Sequence, residues 1–214
     1  ATNTRIPTAT RTPRPTATSL PKPSVVIVSS NAFVPYVDSD SLYLVGEVRN
    51  NTLSNVEFVK INAVLRNSSG MIVDGEYTYA SVGKISSGMN SGFKIIFSKA
   101  PQWSTYELTV EWDDADGEPF ELPITSSESY FDSSSAFHVR GTVKNVDSQQ
   151  HTFVQLFVIM YDNKSKVIGV EEAFTKPSTL EPGQEVAFDV EAYFWMFKPD
   201  RSKVSRYAIR AYDD

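Results

Sequence analysis

From Val25 onward, apolar and polar residues alternate with a period of two in a series of short runs. In "LYLVGEVRN" (42–50), Leu42, Leu44, Gly46 and Val48 share one face, and Tyr43, Val45, Glu47 and Arg49 share the other. "VVIVSSNAFV" (25–34), "VEFVKINAVLR" (56–66), "MIVDGEYTYA" (71–80), "GFKIIFS" (92–98) and "YELTVEW" (106–112) have the same character. Alternation rich in β-branched and aromatic residues predicts half-buried strands. The stretches between them, such as "NNTLSN", "NSSG" and "SSGMNSG", are turn chemistry. No helical stripe of useful length interrupts the series, so the chain is predicted to be all-β.

The pattern is written twice. "VRGTVKN" (139–145) repeats "LVGEVRN" (44–50), and a shift of 95 pairs Gly141 with Gly46, Val143 with Val48 and Asn145 with Asn50. The same shift pairs Phe153 with Phe58, Val154 with Val59, Gly183 with Gly88 and Phe188 with Phe93. With small slips, "ITSSESYF" (124–131) echoes "IVSSNAFV", and "YAIRAYD" (207–213) echoes "YELTVEW" after an insertion near 196–201. An internal duplication explains these matches. Each copy has about seven short strands with turns at sandwich spacing. The predicted architecture is two tandem Ig-like, fibronectin-III-like antiparallel β-sandwiches, residues 24–118 and 119–214, placed end to end as a rod behind an extended segment, residues 1–23. Gly46 and Gly141 fall in mid-strand, where glycine marks a bulge or a close backbone approach. Asn50 and Asn145 end their strands, where an amide bonds the turning backbone. In "LEPGQEVAFDV" (180–190), Pro182 presets φ and Gly183 takes the positive-φ position of a turn.

Three stretches of the second copy, "VRGTVKN", "VIMYDNKSKVIG" and "LEPGQEVAFDV", carry a family likeness. They resemble the Gly-x-Val-x-Asn strand, the hydrophobic-Tyr-Asp turn and the Pro-Gly turn before Phe of the bacterial FxLYD β-sandwich domains. Val158 and Met160 stand where the family name has Phe and Leu. The first copy, with "AVLRN" (63–67) and "SSGMNSGF", is similar mainly through its sister. The resemblance implies a sandwich fold in an exported or membrane-anchored protein, and no shared catalytic residues.

The first segment, "ATNTRIPTATRTPRPTATSLPKP", changes the picture. It has too few apolar residues to offset the entropy of folding, and its five prolines favour extended polyproline conformations. Fully extended at about 3.1 Å per residue, it reaches roughly 70 Å. It carries Arg5, Arg11, Arg14 and Lys22 and no acid, so it is +4. The remaining 16 basic residues face all 26 acidic ones, which leaves the body at −10 within a net charge of −6. Thr/Pro-rich stalks are typical of exported surface proteins. This one reads either as a spacer or as a docking arm for an acidic neighbouring copy. Residue 1 is Ala, which reads as a processed chain from which a signal or membrane anchor has been removed. No apolar run approaches the roughly 18–20 residues of a membrane helix, so membrane association is expected only through such an anchor. The acidic body argues against nucleic acid, whose phosphates need a cationic surface.

The chain has no cysteine, which excludes disulfides, thiolate metal sites and cysteine nucleophiles. His138 and His151 have no nucleophile or ligand set at familiar spacing and are expected at the surface; an enzyme is not expected. Asp114, Asp116 and Glu118 in "DDADGE" (113–118), with Asp38 and Asp40 in "DSD", form an oxygen-rich candidate set for structural Ca²⁺; otherwise no cofactor is expected. Tyr193, Trp195 and Phe197 in "AYFWMFKPD" (192–200) are a candidate aromatic contact surface for protein or glycan, or a lid on the sandwich. Asn50, Asn67 and Asn163 begin glycosylation sequons. These features point to a cell-surface or envelope interaction protein that binds protein partners, itself among them. A carbohydrate-binding module and an accessory subunit of an envelope complex are the alternatives.

Overall fold

The computed structural model describes residues 24–35, 38–134, 136–192 and 204–213. Every regular element among them is a β-strand. Seven precede residue 118: β1 (Val25–Phe33), β2 (Leu42–Asn50), β3 (Val56–Arg66), β4 (Ile72–Tyr79), β5 (Lys84–Ile85), β6 (Asn90–Phe97) and β7 (Thr105–Asp114). Seven follow: β8 (Glu121–Leu122), β9 (Ile124–Phe131), β10 (Phe137–Lys144), β11 (Gln155–Tyr161), β12 (Val167–Phe174), β13 (Glu185–Ala192) and β14 (Arg206–Tyr212).

They form four antiparallel sheets. Strand β3 carries β4 on one side and β7 on the other, with β5 pairing near its start; β1-β2-β6 is the second sheet. The third is β12-β11-β14-β8 and the fourth β13-β10-β9. Three apolar layers separate them. Leu42, Leu44, Val48, Ile61, Leu65 and Phe93 fill the first. Val139, Leu156, Val158, Met160, Phe188 and Val190 fill the last. Between these lies a third, smaller layer of Val45, Ile159, Tyr161, Val167 and Val170.

That middle layer corrects the end-to-end rod expected from the sequence. The β1-β2-β6 sheet lies face to face on the β12-β11-β14 sheet, so the four sheets stack. Strand β2 is therefore buried on both sides, with Arg49 its one exposed residue, where alternation predicts a half-buried strand. Strand β11 is double-faced too: Leu156, Val158 and Met160 join the last layer, while Ile159 and Tyr161 join the middle one. Burying one such aliphatic side chain stabilises by about 1.5–3 kcal/mol, which is why the stack displaces the rod. Gly92 permits the close approach. A Cβ there would lie 2.8 Å from Cγ1 of Val170 and 3.2 Å from Cγ1 of Ile159.

Candidate interaction surfaces

The repeated phrase performs the same local job at both of its positions. The Asn50 side chain donates to the carbonyls of Ser54 (2.8 Å) and Ile85 (2.9 Å) and accepts from Thr52 N (2.8 Å). Asn145 donates to Gln149 (2.7 Å) and Leu180 (3.0 Å) and accepts from Asp147 N (2.8 Å). Each partner is displaced by 95 residues. Both asparagines are fully buried, and the Asn50 amide nitrogen is taken up by the Ser54 and Ile85 carbonyls, so Asn50 is not open to glycosylation. Gly88 (φ +78) and Gly183 (φ +76) donate to the carbonyls of Asn50 and Asn145, which places the Pro182–Gly183 turn against the strand it caps. At Gly46, a Cβ would collide with the Phe93 ring and with the Ser29 carbonyl at 2.5 Å; at Gly141, it would meet Phe188 at 2.8 Å. Both glycines mark close backbone approaches beside a bulge in the adjoining strand.

The structure separates the oxygen-rich candidates. Asp38 accepts from Ser41 Oγ (2.5 Å) and Asp40 N (3.3 Å) at the start of β2. Asp114 accepts from Ser54 Oγ (3.1 Å), and Lys84 bonds the Asp116 carbonyl (2.8 Å), at the far end of that strand. Some 25 Å of strand separates the two groups, and Glu118 lies with the second. No metal-like group of three or more His, Cys, Asp or Glu occurs among the described residues. The aromatic candidates Tyr193, Trp195 and Phe197, and the basic candidates Arg5, Arg11, Arg14 and Lys22, lie outside the described residues.

His151 is not a surface residue. It is 5% exposed, where the matching position of the first copy is the core residue Val56. Its Nδ1 pairs with Asp213 Oδ2 at 2.5 Å, and its ring stacks on Phe120 with centroids 4.0 Å apart. It thereby ties the segment joining the two repeats to the last strand. His138 is half-covered, stacked on Tyr130 at 4.7 Å and paired through Nδ1 with Asp189 (2.8 Å).

Alternation also missed the polar contacts of the middle layer. Tyr161 Oη donates to Glu47 Oε1 (2.8 Å), and Asn90 Nδ2 donates to the same oxygen (2.8 Å). Burial, and then the Glu47 bond, push the Tyr161 phenol well above its ordinary pKa, so it remains a donor. Lys94 Nζ lies 3.3 Å from Glu171 Oε2. Burial nonetheless raises the Glu171 pKa, with Lys94 opposing, because desolvation of the carboxylate outweighs a single long ion pair. Ser29 Oγ accepts from Val167 N (3.0 Å).

Two accessible features remain. The first is the edge strand β4, which exposes Ile72, Val73, Tyr77 and Tyr79; the two tyrosine rings meet edge to face at 6.2 Å, and Lys60 lies 4.2 Å over Tyr77. The second is a cleft of about 450 Å³ where the first repeat meets the connecting segment and the last strand. Phe58, Tyr79, Phe120 and Tyr212 line it together with Glu57, Glu118 and Asp213, and burial pushes the Tyr212 phenol up to about 12. Phe58 is held at φ +49 in a β3 bulge and is 63% exposed. No family model matches the chain, and no curated protein matches it.

Proposed function

We infer that the chain is a non-catalytic interaction protein acting outside the cytoplasm, at the cell surface or in the envelope. It consists of two Ig-like sandwiches of FxLYD type, residues 24–118 and 119–214, carried on the Thr/Pro-rich arm 1–23. The supports are the doubled strand pattern, hydrogen bonds recurring 95 residues apart, and an arm with the composition of an exported stalk. The observation that carries the interaction reading is strand β4. An edge strand offers unpaired backbone groups to an incoming strand, and soluble proteins normally guard such edges with charge. Here Ile72, Val73, Tyr77 and Tyr79 are exposed on the outermost sheet beside the charges of Asp74 and Glu76. Exposed tyrosine and aliphatic side chains grouped on an edge strand support a contact site.

The partner this reading names first is another copy of the chain, with the basic arm lying on an acidic body. Sedimentation velocity across a concentration series tests it. The expected result is a reversible, salt-sensitive rise in sedimentation coefficient that is lost on deletion of residues 1–23 and reduced by Tyr77→Ser with Tyr79→Ser. A single monomeric species at every concentration and salt contradicts self-assembly.

A further inference from the structure

The aromatic cleft has a chemistry that matches one segment of this chain. Aromatic residues from three elements line it: Phe58 from the β3 bulge, Tyr79 from the end of β4, and Phe120 from the connecting segment. Its polar groups are mostly carboxylates. Glu57, Glu118 and Asp213 outnumber the one cation, Lys84, which is itself 3.9 Å from Glu57. Ring-lined grooves with nearby acids bind proline-rich, arginine-bearing strands. The polyproline helix is already extended, so little entropy is lost on docking, and its rings lie flat on aromatic faces while guanidinium groups pair with carboxylates.

The sequence holds such a strand. "RTPRP" (11–15) places Arg11 and Arg14 three residues apart, which is one turn if the segment takes the polyproline conformation, with Pro13 and Pro15 beside them. The described chain also begins at the right end of the molecule. The Ser24 carbonyl accepts from Asn51 N (3.1 Å), and Ser87 bonds both Thr52 and Asn55. Asn55 in turn bonds the Gly117 carbonyl (2.8 Å), next to Glu118 at the cleft. In a polyproline conformation the ten residues from Ser24 back to Arg14 would span about 30 Å.

We propose that the cleft between Phe58, Tyr79 and Phe120 is the docking site for the Arg11–Pro15 segment of the N-terminal arm. The proposal rests on the reading of residues 1–23 as a docking arm and gives that arm a receptor. Phe58 is its anchor. The repeat-matched Phe153 shares the positive φ (+54) and the exposure, and Phe58 lines the cleft together with Glu118 and Phe120 of the connecting segment. The exposed, positive-φ phenylalanine occurs at both positions, and the cleft is lined by the first of them.

Because the chain has no cysteine, Thr12→Cys gives a single site for a nitroxide label on the full-length protein. With ¹⁵N-labelled protein at low salt, the amides of Phe58, Tyr79 and Gly83 are expected to broaden. They should recover at about 0.5 M NaCl, where charge pairs are screened, and in the Arg11→Glu/Arg14→Glu variant. Phe58→Ser, an exposed change that leaves the core intact, should also abolish the broadening. Sharp cleft amides in an otherwise folded spectrum, or equal broadening in the Phe58→Ser variant, overturn the proposal. Mixing labelled-nitroxide and ¹⁵N chains separates the two readings. Broadening within one chain or between chains supports the cleft, whereas self-assembly through the arm requires broadening between chains.

Discussion

Tyr161 donates its phenolic hydrogen to Glu47 at 2.8 Å, joining two buried residues 114 positions apart. A buried carboxylate is tolerated there because Asn90 and Tyr161 both donate to it. The pair lies beside Val45, Ile159 and Val170, so a polar bond and an apolar contact fix the same sheet-to-sheet register.

Tyr161→Phe keeps the ring and removes the donor. Hydrogen bonds to charged groups contribute about 1.5–3 kcal/mol, and this change should destabilise by that amount. Urea denaturation should show a lower midpoint with an unchanged slope; an unshifted midpoint means the bond is not formed.

Asn50→Ala and Asn145→Ala should be damaging to similar degrees, because each orphans equivalent backbone groups: two carbonyls and one amide. The cost is about 1–3 kcal/mol per buried group left unpaired. Thermal denaturation of the two variants side by side checks the equivalence, and a large loss at one position with none at the other argues against it.

Glu171 gives a pH-dependent signature. Its folded-state pKa is raised by burial, so protonation favours the folded state. The stability it contributes is fully present below the unfolded-state pKa and is lost as pH rises through the folded-state value. Wild type should therefore lose stability relative to Glu171→Gln as pH rises above the ordinary carboxylate range. Denaturation of both proteins at several pH values reads this directly, and a pH-independent difference contradicts the buried carboxylate.

Gly92→Ala and Gly83→Ala separate contact from backbone effects. A Cβ at Gly92 meets Val170 at 2.8 Å, whereas one at Gly83 meets nothing within 4 Å. Overpacking costs about 1–3 kcal/mol, expected at Gly92 and absent at Gly83. Equal melting temperatures for the two variants would count against the stacked sheets.

The strands were legible because they rest on local periodicity, and the Asn50 and Asn145 turns because backbone geometry demands those asparagines. The stacking was less legible, since it depends on which outward face is covered. A signal was present all the same. Comparing the copies at matched positions sets Val45 against Arg140 and Tyr161 against Arg66. The apolar or aromatic member lies in the middle layer in both cases, and Arg140 faces solvent. His151 was misjudged because it replaces a core valine of the sister copy while satisfying its polarity through Asp213, a partner 62 residues away. The cleft had no sequence signature at all, being assembled from a bulge, a connecting segment and the last strand.

The face-to-face stack is tested most directly by a nuclear Overhauser measurement between the Gly92 Hα protons and the methyl groups of Val170. The account predicts strong cross-peaks, accompanied by contacts from Val45 methyls to the Ile159–Val170 layer. A spectrum in which no proton of the β1-β2-β6 sheet contacts any proton of β11, β12 or β14 would contradict it.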